Sequence, residues 1–143
     1  MPRTADRRGF QALATLLATA VSGSACLASP SVDPTPRPPP RSTPYAEMPA
    51  AGICADSAGT EVVMTLEPGI PDPRCLIVSP AQHLRLVNHT GGTIDVTLGR
   101  LGSSLQSDAE VVFDAPFGDY LLPGVHAVWV DPCCGGEIWL RGG

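Results

Sequence analysis

At 143 residues the chain has room for one domain. Its nine basic residues are all arginine and face fourteen carboxylates; once residues 1–25 are set aside, six arginines remain against thirteen carboxylates, a net charge of −7. The acidic groups are spread singly, which speaks for a solvated surface and against a nucleic-acid partner, and no stretch after residue 25 is long and apolar enough to span a bilayer.

Residues 1–25 read as an export signal. Arg3, Arg7 and Arg8 form a positive start, Phe10 to Val21 a short apolar stretch, and Ser22-Gly23-Ser24-Ala25 a small-residue end. Arg7-Arg8-Gly9-Phe10 resembles the twin-arginine signature, although Asp6 stands where Ser or Thr is usual. Cys26 follows as the acylated cysteine of a bacterial lipobox would, with Gly23 where Leu is preferred. Lipidation at Cys26 would leave four cysteines, an even number suited to pairing in an oxidising compartment. The expected localisation is therefore extracytoplasmic, with the membrane reached through an N-terminal lipid anchor.

Residues 26–50 are expected to form a tether. Between Ala28 and Pro49 lie eight prolines and no apolar periodicity, which predicts an extended, polyproline-II-like spacer. A peptide ligand for an aromatic-lined groove is the alternative reading of this stretch.

Residues 51–143 carry short β-branched runs punctuated by Gly, Pro, Asn and Asp, with no helical period, and predict an all-β, Greek-key two-sheet sandwich. Strands are expected at Glu61 to Leu66, Cys75 to Ser79, His83 to Asn88, Thr93 to Leu98, Glu110 to Asp114, Val125 to Val130 and Glu137 to Leu140. Ile94, Val96 and Leu98 alternate onto one face, with Leu84 and Leu86 opposite. Asn88 to Gly92 is read as a turn closing a hairpin between those two strands.

With the strands in order, the chain from Gln82 onward resembles the cupredoxins, small copper-binding β-sandwiches. HLRLVNHTGGTIDVTL is similar to that family's strand, Asn-bearing turn and strand, LLPGVHAVWV to its Pro-Gly turn and penultimate strand, and GGEIWL to its closing strand. The resemblance implies the fold more than the activity. Cupredoxin copper is held by two His, one Cys and usually an axial Met. By that resemblance, counting from Asn88 puts Ile94 where the first histidine is expected, counting from Pro123-Gly124 puts Val130 at the cysteine and Cys133 at the second histidine, and Met64 is the last methionine of the chain.

Cys133 and Cys134 fall in the loop where the resemblance places metal ligands, and two adjacent thiols suit a soft ion such as Cu(I). Against that stands a structural reading in which Cys54, Cys75, Cys133 and Cys134 make two disulfides. Side chains of adjacent residues diverge, which favours Cys133 and Cys134 bonding separately to Cys54 and Cys75; a Cys133–Cys134 bridge with Cys54–Cys75 is the alternative.

His83, His89 and His126 have no partner at metal-motif spacing, though His126 is expected near the cysteine end and would join Cys133 and Cys134 in a copper site. Trp129 and Trp139 alternate out of phase with Val128, Val130, Ile138 and Leu140, so they are expected side by side on the face opposite the core, covered by Asp114 to Leu122 or open as a binding surface. No Ser-His-Asp order, paired carboxylate spacing, phosphate loop or HExxH motif occurs, so no enzyme is expected. The sequence points to a tethered binding or structural module with no cofactor and an unidentified extracytoplasmic protein or small-molecule partner. Its alternative is a copper-binding or thiol-redox protein using Cys133 and Cys134.

Overall fold

The computed structural model describes residues 37–142 other than Cys133. The signal at 1–25, lipidation at Cys26, the rest of the tether as far as residue 36 and the pairing of Cys133 lie outside the described residues. Nine strands and one helical turn follow in order: β1 (Ala55–Asp56), β2 (Glu61–Leu66), β3 (Cys75–Val78), β4 (His83–Asn88), β5 (Ile94–Leu98), β6 (Leu101–Leu105), β7 (Glu110–Val112), α1 (Phe117–Tyr120), β8 (Gly124–Asp131) and β9 (Gly135–Leu140). They make two sheets, one of six strands in the order β1-β3-β9-β8-β5-β6 and one of three in the order β2-β4-β7. The expected all-β, two-sheet sandwich is what the chain forms. No helix among the described residues is long and apolar enough to cross a membrane.

The core is the set of inward positions that strict alternation selects. Val62, Met64 and Leu66 on β2 and Leu84 and Leu86 on β4 meet Ile94, Val96, Leu98, Val128, Ile138 and Leu140 from the larger sheet, all buried. A side-chain period of two makes this register hard to slip, because a one-residue shift would turn each of these groups to water. Phe117 and Tyr120 on α1 plug one flank of this core.

The turn at Asn88 corrects one expectation. β4 lies in the three-stranded sheet and β5 in the six-stranded one, so residues 88–93 cross between sheets instead of closing a hairpin. Leu84 and Leu86 therefore face Ile94, Val96 and Leu98 across the sandwich. The Asn88 side chain is fully buried and builds the crossing: its Nδ2 donates to the carbonyls of Gly92 (2.8 Å), Leu105 (3.1 Å) and Gln106 (2.8 Å), while its Oδ1 accepts from Thr90 N (3.0 Å) and Oγ1 (2.7 Å). The true hairpin partner of β5 is β6, joined by Gly99-Arg100, where Gly99 takes a positive φ of 59° that a tight two-residue loop requires.

Cysteine pairing is the second correction. Cys54 bonds to Cys75, not to the final loop. Cys54 directly precedes β1 and Cys75 opens β3, and these strands run parallel with Ala55 opposite Leu76, which brings the two Cα atoms to 4.5 Å. A bridge from either residue to position 133 or 134 is thereby removed.

The last third of the expected tether packs on the domain. Ser42 N donates to Tyr120 O (2.7 Å) and Leu122 N to Ser42 O (2.9 Å), and Tyr45 and Ala46 bond the backbone of Val125. Residues 42–51 thus form a strap across the outer face of the six-stranded sheet, whereas residues 114–122, expected there, hold α1 against the core.

Candidate functional site

The outer face of the six-stranded sheet follows from its register. Trp129 pairs with Thr97 on β5 and Gly135 on β9; Ala127 pairs with Glu137, Val125 with Trp139, and Asp131 with Asp95. All of these project away from the core. Trp129 and Trp139 do share this face, but Trp139 sits opposite Val125, four residues from Trp129 along β8, about 13 Å at the usual strand rise. They are not side by side. Trp139 is half-buried with the Arg141 guanidinium stacked 4.8 Å from its ring centre, whereas Trp129 is 71% exposed.

Two grooves flank Trp129. The larger, about 390 Å³, is lined by Tyr45, Arg74, Ala127, Trp129, Gly135 and Glu137. The smaller, about 180 Å³, is lined by Thr43, Tyr45, Gly99, His126, Ala127 and Trp129. Tyr45 and Trp129 therefore wall both, over a floor kept shallow by Ala127 and Gly135.

Glu137 locks the strap that shapes these grooves. Its carboxylate is nearly buried and accepts from the Tyr45 hydroxyl, from Ala50 N (3.1 Å) and from Ala51 N (2.8 Å). Burial pushes its pKa up, but the bonds from Tyr45, Ala51 and Ala50 and the charge of Arg74 outweigh it and hold the group below its ordinary value of 4.5. Tyr45 is pushed up to about 12 by burial, then by its bond to Glu137 and that residue's charge.

A carboxyl depressed on folding contributes stability above its unfolded pKa and loses it as pH falls through the folded one. The strap is therefore expected to loosen below about pH 4.5, read as faster amide exchange at residues 42–51; Glu137→Gln should abolish that pH dependence. Tyr45 has the opposite sign, with its contribution present below pH 10 and lost as pH rises through about 12.

Of the other expected site residues, His126 borders the smaller groove and the rest lie away from it. His126 is buried on the inner side of β8, and its Nε2–H donates to Leu122 O at 2.7 Å. It stands five residues, about 16 Å, from the end of β8 that leads to the cysteine loop, so it does not join Cys134. Cys134 is half-buried, with its Sγ 3.9 Å from Glu67 O. Among the described residues no group of three or more His, Cys, Asp or Glu is arranged to hold a metal. His83 lies 3.3 Å from Phe113 O and His89 forms an exposed pair with Glu67.

Ile94 and Val130, the positions the resemblance assigns to a histidine and the cysteine, are both buried. Ile94 lines an apolar cleft of about 300 Å³ with Pro68, Gly69, Thr90, Gly92 and Pro132 at that end of the sandwich.

Tyr45, Glu137, Arg74, Asp95 and Asp131 belong to the Trp129 face and were not picked out from sequence. Tyr45 carried the one usable signal, as the only aromatic residue between the signal segment and Phe113.

No family model matches the sequence, and no curated protein matches it. Among solved structures, the chain is similar to a purple cupredoxin from Nitrosopumilus maritimus at 11% identity and a TM-score of 0.45, over 55% of this chain and 98% of that one. A reduced Cu(I) form of an amicyanin mutant is similar at 15% identity and a TM-score of 0.47, over 71% of this chain and all 100% of that one. With a copper-containing nitrite reductase from Thermus scotoductus SA-01 the figures are 13% identity and a TM-score of 0.45, over 57% of this chain and only 22% of the reductase.

Proposed function

We propose that this protein is a membrane-tethered, extracytoplasmic binding or structural module of cupredoxin-like fold, with neither blue-copper electron transfer nor enzymatic activity. The observation that carries the reading is Trp129, 71% exposed between two grooves on the outer face of the six-stranded sheet. An indole left open to water on a soluble domain forgoes roughly 2–3 kcal/mol of burial, which a partner recovers.

The side chains do not fit a type 1 copper ion. Ile94 and Val130 offer no donor atom where a histidine and a thiolate are needed, and the chain has no methionine after Met64. The rival reading, copper or thiol-redox chemistry at Cys133 and Cys134, keeps its support in two consecutive cysteines between β8 and β9 in the sequence.

Radical footprinting compares the purified full chain, diluted until it sediments as a monomer, with the same chain in its native envelope. Trp129 is expected to be oxidised readily in the first and protected in the second, with Trp139 changing little. Equal reactivity of Trp129 in both would sink the binding role.

A further inference from the structure

We propose that the grooves beside Trp129 take the proline-rich stretch at residues 36–40 of a second copy of this chain. The proposal rests on the reading of the Trp129 face as a binding surface and names its occupant. Proline-rich segments present a preformed, low-entropy polyproline II ridge that docks between aromatic rings. Tyr45 and Trp129 wall both grooves, and Ala127 and Gly135 leave space for pyrrolidine rings between them. The sequence supplies a matching ridge in Pro36-Arg37-Pro38-Pro39-Pro40, and residues 37–40 are exposed.

Charge complementarity selects this occupant. Asp131 lies two residues beyond Trp129 on the same face and pairs directly with Asp95; both are exposed. Like charges directly opposite on a sheet repel. Neither forms an ion pair among the described residues, nor does Arg37. An Arg37 guanidinium placed between the two carboxylates relieves their repulsion while the prolines that follow lie on the indole. The one cation lining the larger groove, Arg74, already faces Glu137.

The geometry favours a second copy over the chain's own segment. Arg41 Nη1 donates to Gly118 O (3.2 Å) and Ser42 is bonded to Tyr120, so the proline stretch leaves the domain beside α1. Its fixed φ angles resist the reversal needed to return to Trp129. Each copy thus carries one ridge and one groove, which supports reciprocal exchange or a head-to-tail chain.

Sedimentation velocity on the full chain in detergent tests this. The weight-average mass is expected to rise with protein concentration and to fall with added salt. Trp129→Ala, the double variant Asp95→Asn with Asp131→Asn, and the double variant Pro38→Gly with Pro39→Gly should each weaken association by about tenfold or more. All these side chains are exposed, so an unchanged melting temperature is the control for folding. A synthetic peptide of residues 32–42 should compete. A monomer at every concentration, or association that survives these variants, overturns the proposal. A monomer whose Trp129 is nevertheless protected in the envelope overturns the self-docking alone, whereas loss of that protection overturns the binding reading beneath it.

Discussion

Asn88→Ala is expected to lower the unfolding free energy by about 2–4 kcal/mol, a large share of the roughly 5–15 kcal/mol a domain holds. The amide side chain serves both arms of the crossing between sheets. Its two N–H protons are shared by the carbonyls of Gly92, Leu105 and Gln106, and its oxygen holds Thr90. Alanine removes every one of these bonds and leaves a buried carbonyl at Leu105 with no side-chain donor, and an unpaired buried group costs more than the bond itself contributes. Asn88→Asp keeps the acceptor for Thr90 but sets a charge against three carbonyls, and should be no milder. Urea unfolding of the two variants beside the parent gives the test; a loss under about 0.5 kcal/mol, the level of an ordinary surface change, would contradict this role.

Removing the Cys54–Cys75 bridge is the other large effect. The bond closes a loop with a sequence separation of 21, and cross-links of this kind contribute typically about 2–4 kcal/mol, chiefly by restricting the unfolded chain. Its local consequence is sharper. β1 has only two residues and pairs with β3 through Ala55–Leu76 and Asp56–Ile77, too short a ladder to persist alone. Replacing both cysteines with serine is expected to release β1 and to loosen the strap that leads into it, seen as faster amide exchange over residues 42–56 and a lower urea midpoint. Slow exchange retained in that span would mean that Glu137 and the backbone bonds to Tyr120, Leu122 and Val125 secure the strap without the bridge.

The fold was legible where burial repeats every second residue. β2 and β4 begin and end where the alternation of Val62, Met64, Leu66, Leu84 and Leu86 says they should, and β5, β8 and β9 differ only by a residue or two at their ends. β6 was not legible, since Leu101-Gly-Ser-Ser-Leu105 lacks β-branched residues and becomes a strand through its pairing with β5. β1 is a strand because a disulfide and a parallel neighbour make it one. The turn at Asn88 carries the same residues whether it closes a hairpin or crosses between layers, and only the partner of each strand decides. The candidate site was half legible: Trp129 and Asp131 share one phase on β8, whereas Tyr45, Glu137 and Asp95 reach it from three other segments by contacts no local pattern records.

The proposed reading puts the fold to use as a binding surface in place of a copper site, and a paired thiol and metal analysis bears on that proposal most directly. The full chain, purified from an oxidising compartment, is titrated for free thiols and then offered Cu(II) and Cu(I). The account predicts no reactive thiol after Cys26, no intense thiolate-to-copper absorption and no retained metal. Free thiols at Cys133 and Cys134, or about one copper held per chain through them, would contradict it and make this a metal-handling protein.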